Sequence, residues 1–340
     1  MTVESQTPEN ASSRQDQARA FWLVRPGHGA IRSERLPATE SGQVRVRTLF
    51  SAISRGTESL VFRGEVPPSE YQRMRAPFQD GNFPAPVKYG YANVGEVIEG
   101  PDDLRGRAVF CLYPHQTLYQ VPIDAVQALP DALPPPRAVL AANMETALNA
   151  CWDAGIQPGD RVTVVGAGVV GALVAWLAAR IPGCEVTLVD LQAEKADLAS
   201  TLGCRFALPD QAEGEQDVVI HTSASEAGLA LALNLAGLEA RVVEMSWYGQ
   251  RQPSVPLGQA FHAKRLDLRS SQVGRLPSHQ QARWDYRRRL AKALDLLGDP
   301  ALDALINAEC RFDDLPETLA RLSAEPSSVM CQRVVYADAL

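Results

Sequence analysis

Three kinds of pattern are missing from this sequence, and each absence excludes a class of function. No long lysine and arginine tract offsets the formal net charge of −7, which argues against a nucleic-acid partner. The arginines at 287–289 are interpreted instead as the solvated face of an amphipathic helix. No apolar run approaches membrane-spanning length. Residues 1–19 are polar, lack the apolar core of a signal peptide, and are predicted to form a disordered tail.

Cysteine is also sparse, and its spacing is uninformative for metal binding. The six cysteines are scattered, with no CxxC pair, and the five histidines are equally dispersed. Scattered thiols are typical of a reducing compartment and argue against disulfides or a structural zinc site. We therefore expect a cytoplasmic protein without a membrane partner. Its 340 residues are enough for two domains.

Glycine, by contrast, is concentrated after one apolar run. Residues 162–165 predict a buried strand, and Gly166, Gly168 and Gly171 follow it before a pattern typical of a helix. A second apolar run ends on Asp190, about twenty positions beyond the last glycine, as in a βαβ unit that holds a dinucleotide. The alternative is a glycine-rich loop that merely joins two core elements.

Each position in this stretch has a physical role in that hypothesis. Gly166 allows a tight turn, Gly168 lets the backbone approach a pyrophosphate, and Gly171 lets the helix pack on the strand. The neighbouring Ala167, Val169 and Val170 place their backbone at the same helix N-terminus, whose N–H groups and dipole favour an anion. Asp190 would bind the ribose hydroxyls and repel a 2′-phosphate, which favours NAD(H) as the cofactor.

The order of patterns along the chain predicts an α/β protein with two folded domains. Short strands punctuated by Gly and Pro, at 43–50, 93–99, 107–112 and 118–121, indicate an antiparallel, barrel-like first domain. A proline-rich hinge at 130–136 precedes a helix over 137–154 and then alternating strands and helices, typical of a doubly wound sheet. We assign 1–19 to the tail, 20–142 to the first domain, 143–275 to the nucleotide-binding domain, and 276–340 to a return to the first domain.

Three segments carry a resemblance to a known family: 157–171 around the glycines, Ser51-Ala-Ile-Ser-Arg-Gly-Thr-Glu58, and Tyr89-Gly-Tyr-Ala-Asn-Val-Gly-Glu-Val97. From about Phe21 onward the chain resembles the medium-chain dehydrogenase/reductase superfamily of zinc-type alcohol dehydrogenases, and within it the bacteriochlorophyllide a dehydrogenase-like branch. The resemblance implies a GroES-like β-barrel catalytic domain, a Rossmann domain, and a C-terminus that returns to the catalytic domain.

The same resemblance implies that the zinc ligands have been lost. The first ligand position is Ser54 or Arg55, the second is Tyr91, and the third falls near Ala142. Zinc needs three protein N, S or O donors, so we expect no metal. A zinc site built from Cys111, His115 and Glu58 is the alternative.

Without zinc, other side chains must polarise a carbonyl and carry its proton. The resemblance implies Tyr91 as the proton donor, Thr57 as the hydroxyl of a proton relay, Glu58 as a carboxylate behind it, and His115 as a pocket base. The alternatives are a packing role for Tyr91, a surface turn for His115, and an ion pair with Arg55 for Glu58.

The resemblance also implies further cofactor contacts. Arg55 would contact the pyrophosphate and Thr146 the nicotinamide. Thr222 and Ser223 would approach the adenosine, and Ser246 would lie near the nicotinamide, since ligands bind at the carboxyl ends of such strands.

Together these features predict a zinc-independent oxidoreductase that transfers hydride between NAD(H) and a secondary alcohol or carbonyl. Tyr91, Tyr113, Trp247 and Tyr248 suggest a ring-bearing small-molecule substrate, with core or loop packing as the alternative for the last two. The competing hypotheses are an NADPH-dependent enoyl or quinone reductase and a non-catalytic NAD-binding sensor. A strand at 266–273 could pair with its twin in a homodimer, or be covered.

Overall fold

The computed structural model describes residues 16–324 and 328–337, which divide into two compact units. Within these residues, the first unit consists of 16–129, 309–324 and 333–337, and the second of 130–308 and 328–332. The strands are β1 Gln17–Arg25, β2 His28–Arg35, β3 Gln43–Ile53, β4 Asp80–Gly81, β5 Val87–Lys88, β6 Asn93–Glu99, β7 Ala108–Cys111, β8 Leu118–Pro122, β9 Val126–Ala128, β10 Arg161–Val165, β11 Glu185–Val189, β12 Arg205–Ala207, β13 Gln216–His221, β14 Ala236–Glu244, β15 Asp267–Ser270, β16 Ile306–Arg311 and β17 Cys331–Val335. The α-helices are α1 Arg55–Arg63, α2 Pro135–Ala138, α3 Ala141–Ala154, α4 Val169–Ala178, α5 Ala196–Thr201, α6 Glu226–Leu235, α7 Tyr286–Leu296 and α8 Leu315–Ala324.

The first unit is built on antiparallel pairs. One sheet has the order β2-β1-β5-β4, and a larger sheet has the order β16-β17-β3-β6-β7-β9, with β8 also paired to β3. The alternation of β3 buries Val44 and Val46, which pack with Val97 and Val109 in one apolar cluster. The helix α1 follows β3 directly and packs against α8. This unit matches the antiparallel domain expected from the sequence, although α1 was not foreseen.

The second unit is a parallel sheet with the order β12-β11-β10-β13-β14-β15. Its central strands are continuous apolar runs because both faces are covered; Val162 and Val164 of β10 and Ile220 of β13 are fully buried. The strand order reverses between β10 and β13, and the carboxyl ends of strands at such a point are where doubly wound sheets bind ligands. The α/β fold class predicted from the sequence is confirmed.

The boundaries of the units differ from those expected. The first segment of the first unit ends at Leu129, whereas the domain expected from the sequence extends to 142. The helix α3 therefore belongs wholly to the second unit. Residues 276–308 also belong to the second unit, because α7 packs on α3. The strand β1 begins at Gln17, within the range expected to be a tail, and residues 1–15 of that range lie outside the described residues.

The helix expected over 137–154 is divided into α2 and α3. The arginines at 287–289 lie in α7, in agreement with the helix predicted around them. The strand expected over 266–273 is the shorter β15, which closes the sheet at one edge. Among the described residues, no helix combines the length and apolar character needed to cross a membrane.

Candidate functional site

The turn between β10 and α4 is shaped by its glycines. Gly166 has φ +111°, a conformation that glycine adopts at little cost. A Cβ on Gly171 would lie 1.9 Å from the Gly166 carbonyl oxygen and 2.6 Å from the Thr222 hydroxyl, so only glycine lets α4 approach the turn this closely. A Cβ on Gly168, in contrast, would meet nothing within 4 Å among the described residues. The turn is therefore tight on its inner side and open at Gly168.

Asp190 fixes this turn from the neighbouring strand. It follows β11, and its Oδ2 accepts a hydrogen bond from the Ala167 N–H at 2.8 Å, while its Oδ1 accepts one from the Gln192 N–H at 3.0 Å. Each carboxylate oxygen keeps a second lone pair. Leu191, beside it, is 84% exposed. The carboxylate is thus held at the glycine turn next to an exposed apolar side chain.

The other residues expected to contact the cofactor differ in their burial and in their hydrogen-bond partners. The Thr222 hydroxyl donates to the Gly166 carbonyl at 2.8 Å, which ties the end of β13 to the turn. Ser223 is exposed, and Ser246 accepts a hydrogen bond from the Ala224 N–H at 3.0 Å. Thr146 donates to the Ala142 carbonyl of its own helix at 2.9 Å. Arg55, in the first unit, is the half-buried first residue of α1.

The arrangement fits a dinucleotide. The backbone of Val169 and Val170 forms the N-terminus of α4, after its N-cap Gly168. The first four N–H groups of an α-helix have no carbonyl partner within the helix. These N–H groups and the helix dipole face the open side of the turn and favour a pyrophosphate. Asp190 offers acceptors to ribose hydroxyls.

In the first unit, the structure brings Glu58, His115, Thr57 and Tyr91 together. Glu58 is buried in α1, and its Oε1 accepts the Ser54 N–H at 2.7 Å while its Oε2 lies 2.9 Å from His115 Nε2. Because an ionised carboxylate only accepts, this contact places a proton on Nε2. Gly90, with φ +133°, makes room for the imidazole, since a Cβ there would lie 3.0 Å from the His115 ring.

Tyr91 is the half-buried member of this cluster. The side chains of Ser54 and Thr57 act on its phenol, since both lower the pKa of Tyr91. Burial, and then the negative charge of Glu58, raise the pKa of Tyr91 to about 12, while the two hydroxyls partly offset this. The phenol therefore stays protonated at neutral pH and can donate a hydrogen bond.

The cluster contains two residues that the sequence did not indicate. The Ser51 hydroxyl lies 2.7 Å from His115 Nδ1 and 3.1 Å from the Tyr336 hydroxyl, and all three side chains are buried. The partners are separated by 64 and 285 positions in the chain, so no local pattern could reveal them. They extend the hydrogen-bonded chain from Glu58 through His115 to Tyr336.

Two sequence-based roles change in this setting. His115 is 1% exposed with both ring nitrogens engaged, so it is neither a surface turn residue nor a base that reaches substrate directly. Tyr113 is 8% exposed and stacks on Tyr119, with ring centroids 4.0 Å apart, in the core of the first unit. It therefore packs and does not line a substrate pocket.

The residues present do not fit a catalytic zinc. Ser54, Tyr91 and Ala142 offer a hydroxyl, a phenol and a methyl group where three ligands would be needed. Within residues 16–324 and 328–337, no three His, Cys, Asp or Glu side chains are placed to hold one metal ion. Burial raises the pKa of the Cys111 thiol to about 12, which disfavours the thiolate that zinc binds. We derive no step through a metal.

Comparison with known proteins gives relatives along most of the chain. A D-guloside 3-dehydrogenase from Escherichia coli (strain K12) is 25% identical over 321 residues, which cover 85% of this chain and 89% of the relative. No protein-family model matches.

Two solved structures support the fold and hold nicotinamide cofactors. The structure of a zinc-binding dehydrogenase from Sinorhizobium meliloti 1021, bound to NADP, has a TM-score of 0.76 and 19% identity, over 94% of this chain and 100% of that one. An alcohol dehydrogenase from Escherichia coli CFT073 holds NADH, with a TM-score of 0.73 and 17% identity over 94% and 99% of the two chains. Both likenesses show that this chain shares the fold of these proteins.

Proposed function

We propose that this chain, a zinc-type alcohol dehydrogenase-like member of the medium-chain dehydrogenase/reductase superfamily, interconverts a secondary alcohol and its carbonyl with NAD(H) and without zinc. The observation that carries the proposal is the β10–α4 turn, where Gly171 permits close packing, Gly168 is open, and Asp190 is fixed by the Ala167 amide. When bound, the nicotinamide supplies or accepts the hydride.

In this proposal the remaining chemistry is carried by the first unit. Tyr91 donates a hydrogen bond to the carbonyl oxygen, polarises it, and holds the proton that the alkoxide needs. Its raised pKa keeps that proton in place at neutral pH. Ser54 and Thr57 orient the phenol, and the negative charge of Glu58 is held behind it by His115. His115 and Ser51 are positioning residues, since both are buried.

The cofactor preference is proposed from Asp190 and Leu191. An ionised carboxylate beside the turn binds the neutral 2′-hydroxyl of NAD(H) and repels the 2′-phosphate of NADP(H). The exposed Leu191 offers apolar surface to a planar base. Tighter binding of NADPH than of NADH would contradict this preference and would favour the enoyl or quinone reductase hypothesis.

We predict that Asp190→Ser reverses this preference in part. Removing the charge weakens NADH binding and strengthens NADPH binding, each by about 5- to 20-fold, because a charged hydrogen bond contributes about 1–2 kcal/mol. The measurement is a titration of nucleotide fluorescence with both cofactors. Asp210→Ser, which removes an exposed charge from the same unit, is the control and should leave both affinities unchanged. Equal effects of the two substitutions would contradict the role of Asp190.

We predict opposite outcomes for the two glycines of the turn. Gly168→Ala keeps the fold, because its Cβ enters open space. It weakens NADH binding by about 10-fold or more, because the added methyl group prevents the pyrophosphate from approaching the backbone. Gly171→Ala lowers the free energy of unfolding by about 1–3 kcal/mol through its clash with the Gly166 carbonyl. Denaturant unfolding and NADH titration on both variants check this. A Gly168→Ala protein that binds NADH normally would show that the dinucleotide does not approach this turn.

The proposed substrate is a small molecule with a secondary alcohol, such as a sugar or polyol derivative. The similarity to a D-guloside 3-dehydrogenase supports this class, and Trp247 and Tyr248 of the second unit are half-buried aromatic residues that could face a ring. A panel of glycosides, polyols and cyclic ketones, assayed at 340 nm for NADH, tests it. NADH binding without turnover on the whole panel would favour the sensor hypothesis.

A homodimer and a cytoplasmic location belong to the same proposal. The edge strand β15 is largely exposed, and Leu238 on the adjacent β14 is 72% exposed, so this edge could pair with its twin. Light scattering on the purified protein gives the mass that decides the first point. No disulfide joins any two of the six cysteines within residues 16–324 and 328–337, and a reducing compartment would keep them as thiols.

A further inference from the structure

Two adjacent parallel strands of the second unit end in a hydrogen-bonded pair that no sequence motif indicated. His221 ends β13 and Glu244 ends β14, and they face each other in register. His221 Nδ1 lies 2.7 Å from Glu244 Oε2, and His221 Nε2 lies 2.6 Å from the Ser223 hydroxyl. The imidazole is fully buried, whereas Ser223 is exposed. The pair therefore links a half-buried carboxylate to an exposed hydroxyl through a buried imidazole.

Glu244 acts only as an acceptor. Its Oε1 accepts the Ser246 N–H at 2.7 Å, and its Oε2 accepts the Tyr248 hydroxyl at 3.2 Å in addition to His221. Burial alone would raise the pKa of Glu244, but the hydrogen bonds from His221 and Ser246 hold it below its usual value. An ionised Glu244 requires the proton of a neutral His221 to be on Nδ1, which leaves a lone pair on Nε2.

This tautomer fixes the direction of the Ser223 hydroxyl. Because Nε2 can only accept, Ser223 donates its single proton to His221. The Ser225 hydroxyl accepts the Gly228 N–H at 3.0 Å, so its own proton is available for Ser223, 2.8 Å away. Ser223 then donates once and accepts once, and it keeps one lone pair. It presents an acceptor, and no donor, to anything that binds in front of it.

Ser223 lies beside the glycine turn. A Cβ on Gly166 would be 2.9 Å from the Ser223 N–H nitrogen, so the backbone of Ser223 is packed on the first glycine of that turn. Both follow the strands β10 and β13, between which the strand order reverses. A Cβ on Gly228 would lie 2.3 Å from the Ser223 Oγ and 2.7 Å from His221 Nε2, so α6 can approach the pair only because position 228 is glycine.

We propose that His221 and Glu244 are positioning residues that hold the Ser223 hydroxyl as a hydrogen-bond acceptor for a ribose hydroxyl of the dinucleotide. The inference rests on the proposed function, which places the dinucleotide at this turn. An acceptor at this position can bind a ribose hydroxyl, because the hydroxyl donates a hydrogen bond. It disfavours a phosphate oxygen, which is itself an acceptor and needs a donor. The pair therefore adds to the preference of the site for sugar hydroxyls over phosphate.

Glu244→Gln tests the direction of these bonds. The Ser246 N–H can only donate, so the amide oxygen of glutamine stays on it and the NH₂ group faces Nδ1. His221 must then carry its proton on Nε2 and donate to Ser223, whose proton turns outward. Ring ¹⁵N shifts of the five histidines, with His221 identified by its loss in His221→Gln, report the tautomer in the protein without cofactor. We expect an Nδ1–H tautomer in the native protein and an Nε2–H tautomer in Glu244→Gln.

NADH titration gives the second readout. Ser223→Ala and Glu244→Gln should each weaken NADH binding by about 2- to 12-fold, the range for one hydrogen bond, and the effect of Glu244→Gln should vanish in a Ser223→Ala background. Glu226→Gln, an exposed acid on α6, is the control with the same charge change and should bind normally.

The outcomes separate this inference from the function beneath it. A native protein that binds no NADH overturns the proposed cofactor and this inference with it. A native protein that binds NADH while Ser223→Ala and Glu244→Gln bind it equally well overturns the positioning role alone. An Nε2–H tautomer in the native protein also overturns the positioning role, whatever the affinity.

Discussion

Replacement of Tyr91 by phenylalanine is expected to lower kcat for carbonyl reduction by about 10²- to 10⁴-fold, the usual contribution of a positioned proton donor. The ring remains and only the hydroxyl is lost, so its edge contact with Tyr89, at a centroid distance of 5.9 Å, is kept. With the hydroxyl gone, neither Ser54 nor Thr57 can hand a proton to the substrate in its place at the same geometry. The affinity for NADH should not change, because the proposed dinucleotide site is in the second unit.

The control for this prediction is Tyr89→Phe. Tyr89 is a buried neighbour that would lose the same atom without touching the proposed chemistry, so kcat should stay within a few fold. Steady-state kinetics on both variants, with NADH affinity measured separately, decide the matter. If Tyr91→Phe retained activity comparable to Tyr89→Phe, the proton would have to come from another group.

His115→Ala is expected to lower the free energy of unfolding by about 3–5 kcal/mol, the cost of leaving a buried carboxylate without its partner. Glu58 would keep only the Ser54 N–H, since its other oxygen bonds to His115, and both side chains are almost fully buried. Ser51 would also lose its contact with the imidazole. Urea unfolding gives the value. His28→Ala, an exposed histidine of the same unit, should change it by less than about 0.5 kcal/mol.

A double-mutant cycle shows whether the cost comes from Glu58. In a Glu58→Gln background, no charge is left behind, so His115→Ala should cost less by about 1–3 kcal/mol. A cost that is the same in both backgrounds would mean that the loss reflects the vacated volume and not the carboxylate.

The dinucleotide turn could be predicted from the sequence because its signal is local. The strand, the three glycines and Asp190 lie within one βαβ unit, and each requirement acts on a near neighbour: Gly171 faces the Gly166 carbonyl, and Asp190 faces the Ala167 amide. The resemblance to the superfamily, drawn from the same segments, is confirmed by the relatives found. NAD as the cofactor remains a prediction.

The polar clusters could be predicted only in part. Glu58 and Tyr91 were found because they stand in segments with a family pattern, whereas Tyr336 joins the cluster through a hydrogen bond to Ser51, 285 positions away. His221 and Glu244 meet because two parallel strands end in register, and neither strand carries a motif. Residue types at strand ends indicate where chemistry is possible, but the pairing of those ends depends on sheet order.

The predicted domain boundaries differ from those of the two units for a related reason. Composition marks 130–136 as a hinge, and the second unit does begin at 130, but the predicted boundary at 142 cuts through the helical stretch that follows. The helix α7 packs on α3 through Arg289, whose Nε donates to Glu145 at 3.0 Å and whose Nη1 donates to Asn149 at 2.7 Å. That buried contact joins residues 140 or more positions apart, and it holds 276–308 in the second unit.

The central claim is hydride transfer with NAD(H) and no metal. The most direct measurement is the turnover of NADH with the carbonyl panel in a sample whose zinc content is determined at the same time, before and after treatment with a chelator. We predict turnover with zinc far below one ion per chain, unchanged by the chelator. A content of about one zinc per chain, with activity lost on its removal and restored by its return, would contradict the account.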